Sequence, residues 1–109
     1  MPFASELVKG STELLVLSLL HGQAMHGYES IKEIRARSEG HLRVGEGSLY
    51  PLLHRLERDG LLTAEWGGLA GRDRRYYRLT ARGEAALNER QAEWRRHVRA
   101  VERVLGAAG

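Results

Sequence analysis

The sequence predicts a mainly helical fold of the α+β class: three helices, a two-stranded hairpin and one long terminal helix. Three observations carry this expectation. Apolar residues recur at helical spacing in three early segments. The period drops to two between residues 61 and 80. It then returns to a helical heptad from residue 81 onward. At 109 residues with 42% hydrophobic composition, the chain suits one compact unit with a real core. A domain this small buries a modest fraction of its surface and gains stability by pairing with a copy of itself.

The first helix is expected over residues 6–21, where the run Leu14 to Leu20 is apolar apart from Ser18. Such a helix is covered on most sides. Gly10 weakens its start, Ser11 or Thr12 offers a second N-cap, and Gly22 is the stop. The second helix is expected over residues 26–38, with Tyr28, Ile31 and Ile34 as its apolar face and Glu33 and Arg37 as a favourable pair four apart. By this reading Tyr28 is a core residue. The third lies within residues 45–59, with Leu49, Leu52, Leu53 and Leu56 facing inward and Gly60 as the stop. Pro51 removes one donor and crowds the preceding turn, which predicts a late or irregular start.

Residues 61–66 and 74–80 read as two strands around a loose Gly-rich turn. In the second strand Arg75, Tyr77 and Leu79 share one face, and Arg74, Tyr76 and Arg78 the other. Thr80 caps a last helix over residues 81–105, about 37 Å long at 1.5 Å per residue. Leu87, Gln91, Trp94, Val98, Val101 and Leu105 advance in steps of 4, 3, 4, 3 and 4, a heptad seam with one polar member. This stripe outruns a compact body of this size, and a second copy of the chain is its simplest cover. Residues 1–80 and 81–109 are thus expected to divide the work: a compact module, then a helix that makes a homodimer.

Net charge is +3, yet residues 72–82 alone carry +4 through Arg72, Arg74, Arg75, Arg78 and Arg82 against Asp73. A local basic cluster on a hairpin suits a polyanion. There is no cysteine, which excludes a disulfide scaffold or a cysteine zinc site, and no apolar run of membrane-spanning length. The first residues lack the basic start and apolar stretch of a signal peptide, so the expected location is the cytoplasm, at the nucleoid. His21, His26, His41, His54 and His97 are scattered without metal-ligand spacing, so no metal or other cofactor is expected. No phosphate-cradling loop is present, and Gly45-Glu46-Gly47-Ser48 only mimics a nucleophile elbow, because it opens an amphipathic helix instead of leaving a buried strand. An enzyme is therefore not expected.

Three short helices followed by a hairpin make a winged helix-turn-helix. A major groove about 12 Å wide admits one helix, here the third, while the hairpin reaches the backbone with its arginines. Arg72, Arg74 and Arg75 are the candidate DNA-binding residues on the wing. A winged helix that docks on protein instead of DNA is the alternative, since fold does not fix function. The basic wing beside a polar helix face argues against it.

Specific stretches also resemble the PadR-type transcriptional regulators. They are Lys9-Gly10-Ser11-Thr12-Glu13-Leu14-Leu15-Val16-Leu17, His26-Gly27-Tyr28-Glu29, the run from Gly45 to Leu61 with Leu49-Tyr50-Pro51 at its centre, and Arg74-Arg75-Tyr76-Tyr77-Arg78-Leu79-Thr80. The chain is similar to the smaller subgroup, which has a single C-terminal dimerisation helix. The resemblance implies a homodimeric repressor that binds an inverted-repeat operator in double-stranded DNA and releases it on a small-molecule or stress signal. It also implies that Ser48 and Tyr50 point toward DNA, with His54 and Arg55 one turn on. Some members sandwich planar ligands with an aromatic residue on the last helix, a place held here by Trp94.

Overall fold

A computed structural model describes residues 3–67 and 74–106, with side chains from residue 11 onward. The elements are α1 (Phe3–Leu19), β1 (Met25–His26), α2 (Gly27–Arg37), α3 (Glu46–Arg58), β2 (Leu62–Gly67), β3 (Arg74–Leu79) and α4 (Ala81–Gly106). The three expected helices, the hairpin and the long last helix are all present.

The core forms where the inward stripes meet. Val16, Leu17, Leu19 and Leu20 of α1 and its C-terminal turn pack with Ile34 of α2, and with Leu49, Leu53 and Leu56 of α3. Leu62 and Tyr77 close it from the sheet, and Leu87 from α4. Burying one such aliphatic side chain stabilises the fold by about 1.5–3 kcal/mol. β2 and β3 pair antiparallel in the register Leu62↔Leu79, Ala64↔Tyr77 and Trp66↔Arg75, so these residues share the core-facing side. Chain direction reverses between elements at Gly22, Gly40 and Gly60, all with positive φ.

The joint between body and last helix is tightly specified. The Thr80 hydroxyl accepts from the Gly83 amide at 3.0 Å and donates to the Gly60 carbonyl at 2.7 Å. It thereby caps α4 and ties it to the end of α3 at once. Any side chain at Gly83 would run into the Leu61 carbonyl, so only glycine lets α4 leave the sheet at this angle.

Five expectations need correction. First, α1 continues from Phe3 to Leu19 through Gly10, with no second start at Ser11 or Thr12. The cost of one glycine, about 1 kcal/mol, is small beside the packing of the helix. Second, the sheet has three strands in the order β1-β3-β2: Met25 and His26 pair with Tyr77 and Tyr76 on the outer edge of the hairpin. Third, α3 starts at Glu46 and runs through Pro51. Pro51 cannot donate to the Gly47 carbonyl, but both residues are exposed, so water can take that acceptor.

The fourth is Tyr28, which is 49% exposed, not core. Three-residue steps from Tyr28 through Ile31 to Ile34 drift about 60° each around the helix. The buried stripe of α2 is Gly27, Ser30 and Ile34, and Tyr28 falls beside it. The fifth is Leu87, expected on the open seam but only 4% exposed within its own chain. α4 lies on α1 at this level, so the seam begins inside the body's core.

Candidate nucleic-acid interface

α3 presents three distinct faces. Leu49, Leu53 and Leu56 are buried. At about 100° per residue the opposite, outward face consists of Gly47, Pro51, His54 and Arg58, all exposed. Ser48 and Arg55 lie on the flank toward α1, where they border a shallow hollow with Glu13. Tyr50 lies on the flank toward the sheet. Thus Ser48 and Tyr50, expected to point together toward DNA, stand on opposite shoulders of the helix, and His54 lies between them on its crest.

Between α3 and the sheet is an open hollow bordered by Tyr50, His54, Trp66, Arg74 and Arg75. Tyr50 packs over Gly27, where any Cβ would come within 2.5 Å of its ring. Glycine at the start of α2 therefore lets the two helices of the turn motif approach with the tyrosine between them. His26 caps α2 through a reciprocal pair: its Nδ1 accepts from the Glu29 amide at 3.2 Å, and the Glu29 carboxylate accepts from the His26 amide at 3.1 Å. The imidazole stands edge-on to the Tyr76 ring, 5.4 Å between centroids. Burial lowers its pKa below the usual value, opposed by Glu29 and reinforced by Arg74 and Lys32. A neutral ring is what the cap requires, since Nδ1 must accept.

The arginines fall into two groups. Arg74 is exposed at the head of β3, and no carboxylate is paired with it among the described residues. Arg55 and Arg75 are instead held within the fold. Arg55 Nη2 pairs with Glu13 Oε1 at 2.9 Å, and Arg75 Nη2 with Glu57 Oε2 at 2.8 Å. Arg75 also lies over the rings of Trp66 and Tyr77, at 6.0 and 5.7 Å. It therefore ties the wing to the end of α3 as much as it presents charge. Tyr77 beneath it has its pKa raised by burial, partly offset by Arg75. Arg72 lies outside the described residues.

Two further exposed residues stand at this surface that the sequence did not single out. Trp66, 58% exposed, extends the core-facing side of β2 beyond the end of the core. The alternation Leu62, Ala64, Trp66 carries that information. Arg58 stands at the centre of the outward face of α3 with its side chain 73% exposed. It follows Pro51 by seven residues, which is the signal that places it on the same helical face.

On the far side, α4 spans about 39 Å over its 26 residues and draws the molecule out to 57 × 28 × 22 Å. Trp94, Val101 and Leu105 are 45%, 41% and 68% exposed, and Val98 and Gln91 are partly covered. Trp94 leans toward His97, ring centroids 6.1 Å apart. Among the described residues no group of acidic or histidine side chains could hold a metal ion, and no helix is long and apolar enough to cross a membrane.

Three helices, a winged sheet on the third, and a basic, polar outer surface define a winged helix-turn-helix of the DNA-binding class. Comparison with known proteins is more specific. The model of the transcriptional regulator PadR-like family matches residues 16–89, and the chain belongs to that family. It is 42% identical over 84 residues to the transcriptional regulator Rv3488 of Mycobacterium tuberculosis, across 77% of this chain and 76% of that protein. A PadR family transcriptional regulator from Eggerthella lenta superposes with a TM-score of 0.81 at 35% identity, covering 92% of this chain and 86% of that one. A transcriptional regulator from Clostridium thermocellum gives 0.83 at 28% identity over 91% and 94%. The chain is thus a transcriptional regulator, not an enzyme.

Proposed function

We propose that this regulator is a homodimeric repressor. Residues 81–109 pair two copies, and residues 1–80 of each copy read one half of an inverted-repeat operator. The observation that carries this is the division of exposed surface. The crest of α3 and the head of β3 offer His54 and Arg74 to a polyanion, whereas the distal half of α4 offers Trp94, Val101 and Leu105 to an apolar partner. A two-fold pairing along α4 sets two recognition helices about one turn of DNA apart, roughly 34 Å.

Within each half, α3 enters the major groove. His54 meets base edges, and Ser48 and Tyr50 donate to phosphates on either side of the groove. Arg74, with Arg72 further along the hairpin, neutralises the backbone. Arg55 and Arg75 reach phosphate only by leaving or sharing their carboxylates. Gln91, Trp94, Val98, Val101 and Leu105 form the dimer seam. A planar effector stacking on Trp94 between the two copies relieves repression by altering that seam. Such a protein works in the cytoplasm, at the nucleoid.

A mobility shift on the DNA upstream of its own gene, against random DNA at two salt concentrations, tests the reading. A discrete shift on the upstream fragment alone, with a two-fold footprint, is expected. Equal weak binding to both fragments that vanishes with salt overturns sequence-specific recognition, and favours a winged helix that docks on protein.

A further inference from the structure

One carboxylate on α1 is shared by two helices with different tasks. Glu13 Oε1 holds Arg55 of the recognition helix at 2.9 Å, and Glu13 Oε2 holds Arg90 of α4 at 2.6 Å. The Glu13 side chain is 23% exposed, so water screens these pairs less than it would screen a fully exposed pair. Two guanidinium groups divide one negative charge, and the cluster carries a net positive charge. Arg90 also has its Nη1 buried without a hydrogen-bond partner, so its hold on Glu13 is its principal attachment among the described residues. Arg90 and Gln91 are partly covered, and the exposed stretch of α4 begins at Ala92, so Arg90 stands one turn ahead of Trp94.

We propose that Glu13 is a positioning residue that couples α4 to the recognition helix by dividing its charge between Arg90 and Arg55. While Arg90 occupies one oxygen, Arg55 is held by half a carboxylate and its guanidinium, on the shoulder of the outward face, can turn to a DNA phosphate. When Arg90 withdraws, Glu13 captures Arg55 and draws it away from that phosphate. A shift of α4 caused by anything seated on its distal half is thereby converted into a change in DNA affinity. No wholesale movement of the fold is required. The coupling rests on the DNA-binding reading above, and part of its test does not.

The test is Arg90→Gln, Glu13→Gln and Arg55→Gln, singly and in pairs, in the full chain. Binding is read as the logarithm of affinity against the logarithm of salt concentration. Arg90→Gln is expected to lower affinity for all DNA several-fold and to flatten the slope by about 0.9, the equivalent of one phosphate no longer neutralised. Glu13→Gln is expected to do the reverse, and Arg90→Lys to restore binding. In the Arg55→Gln background both effects disappear. If the Arg90→Gln effect persists there, it acts through dimerisation or folding and the coupling is overturned. Independently of DNA, the side-chain Nε–H resonance of Arg55 is expected to move on Arg90→Gln; an unmoved resonance overturns the coupling even if the wild-type protein binds no DNA. Wild-type protein that fails to shift any DNA, while the resonance does move, overturns the functional reading alone.

Discussion

The two halves of α4 carry one heptad in different surroundings. In the proximal half Leu87 is 4% exposed and closes the core against α1. In the distal half Leu105 is 68% exposed and Trp94 45%, on the same helical stripe. Periodicity therefore marks a face that needs cover without saying where the cover comes from. Helix length decides: the body is wide enough to cover the first turns, and about 39 Å of helix extends well past it. The first part of the stripe is spent on the chain's own core, and the second stays open on the surface.

Leu87→Ala sharpens that contrast most. Truncating a buried leucine is expected to cost about 2–5 kcal/mol in denaturant unfolding, whatever the protein concentration. Leu105→Ala should cost well under half of that and should act on association. Equal losses at both positions would break the distinction between the halves. Next in size is Trp94→Ala, expected to weaken self-association more than any other single change on α4, by about 2 kcal/mol or roughly 30-fold in the dimer constant. Analytical ultracentrifugation with an unchanged constant removes Trp94 from the seam.

The opposite end of the molecule gives a smaller, salt-dependent effect. Replacing Arg72, Arg74 and Arg75 together is expected to weaken binding to all DNA and to flatten the salt dependence by about 0.9 for each phosphate no longer neutralised. An unchanged slope takes the wing off the phosphates. Arg75→Ala singly should also lower the melting temperature, because it frees the wing from Glu57; Arg74→Ala should not.

The smallest effect belongs to His26. His26→Ala removes the cap of α2 and is expected to cost about 1 kcal/mol. Burial holds the folded-state pKa of this imidazole below the ordinary histidine value, so the unfolded chain takes up the proton first. The stability it contributes is present above the ordinary histidine pKa of about 6.5. It is lost as pH falls through the lower, folded-state pKa. His26→Asn keeps a capping side chain and should make stability less dependent on pH across that window. A melting temperature with the same acid dependence in His26→Asn assigns the pH effect to another group.

Much of the architecture is legible in the sequence because it rests on local chemistry. The inward leucines of α3, the strand alternation around Tyr77, the Thr80 cap and the Glu33–Arg37 pair, 2.8 Å apart, follow from spacing alone. The two residues of β1 are too short to show any period, and they become a strand because the edge of β3 lies free beside them. Tyr28 is misplaced by its spacing because steps of three drift around a helix. The outer face of α3 is legible in part: His54 is on its crest, while Ser48 and Tyr50 are on its shoulders and Arg58 joins it from one turn further on.

The order of elements, the faces that turn inward and the concentration of positive charge on the hairpin are properties of the chain's own periodicity and composition. They need no knowledge of what lies opposite each face. The attachment of Arg55 to Glu13, 42 positions earlier, and of Arg75 to Glu57, 18 positions earlier, are of another kind. So is the division of the α4 stripe between core and open surface. Such pairings depend on distances between elements, which are set by how the helices pack, and no local pattern records them.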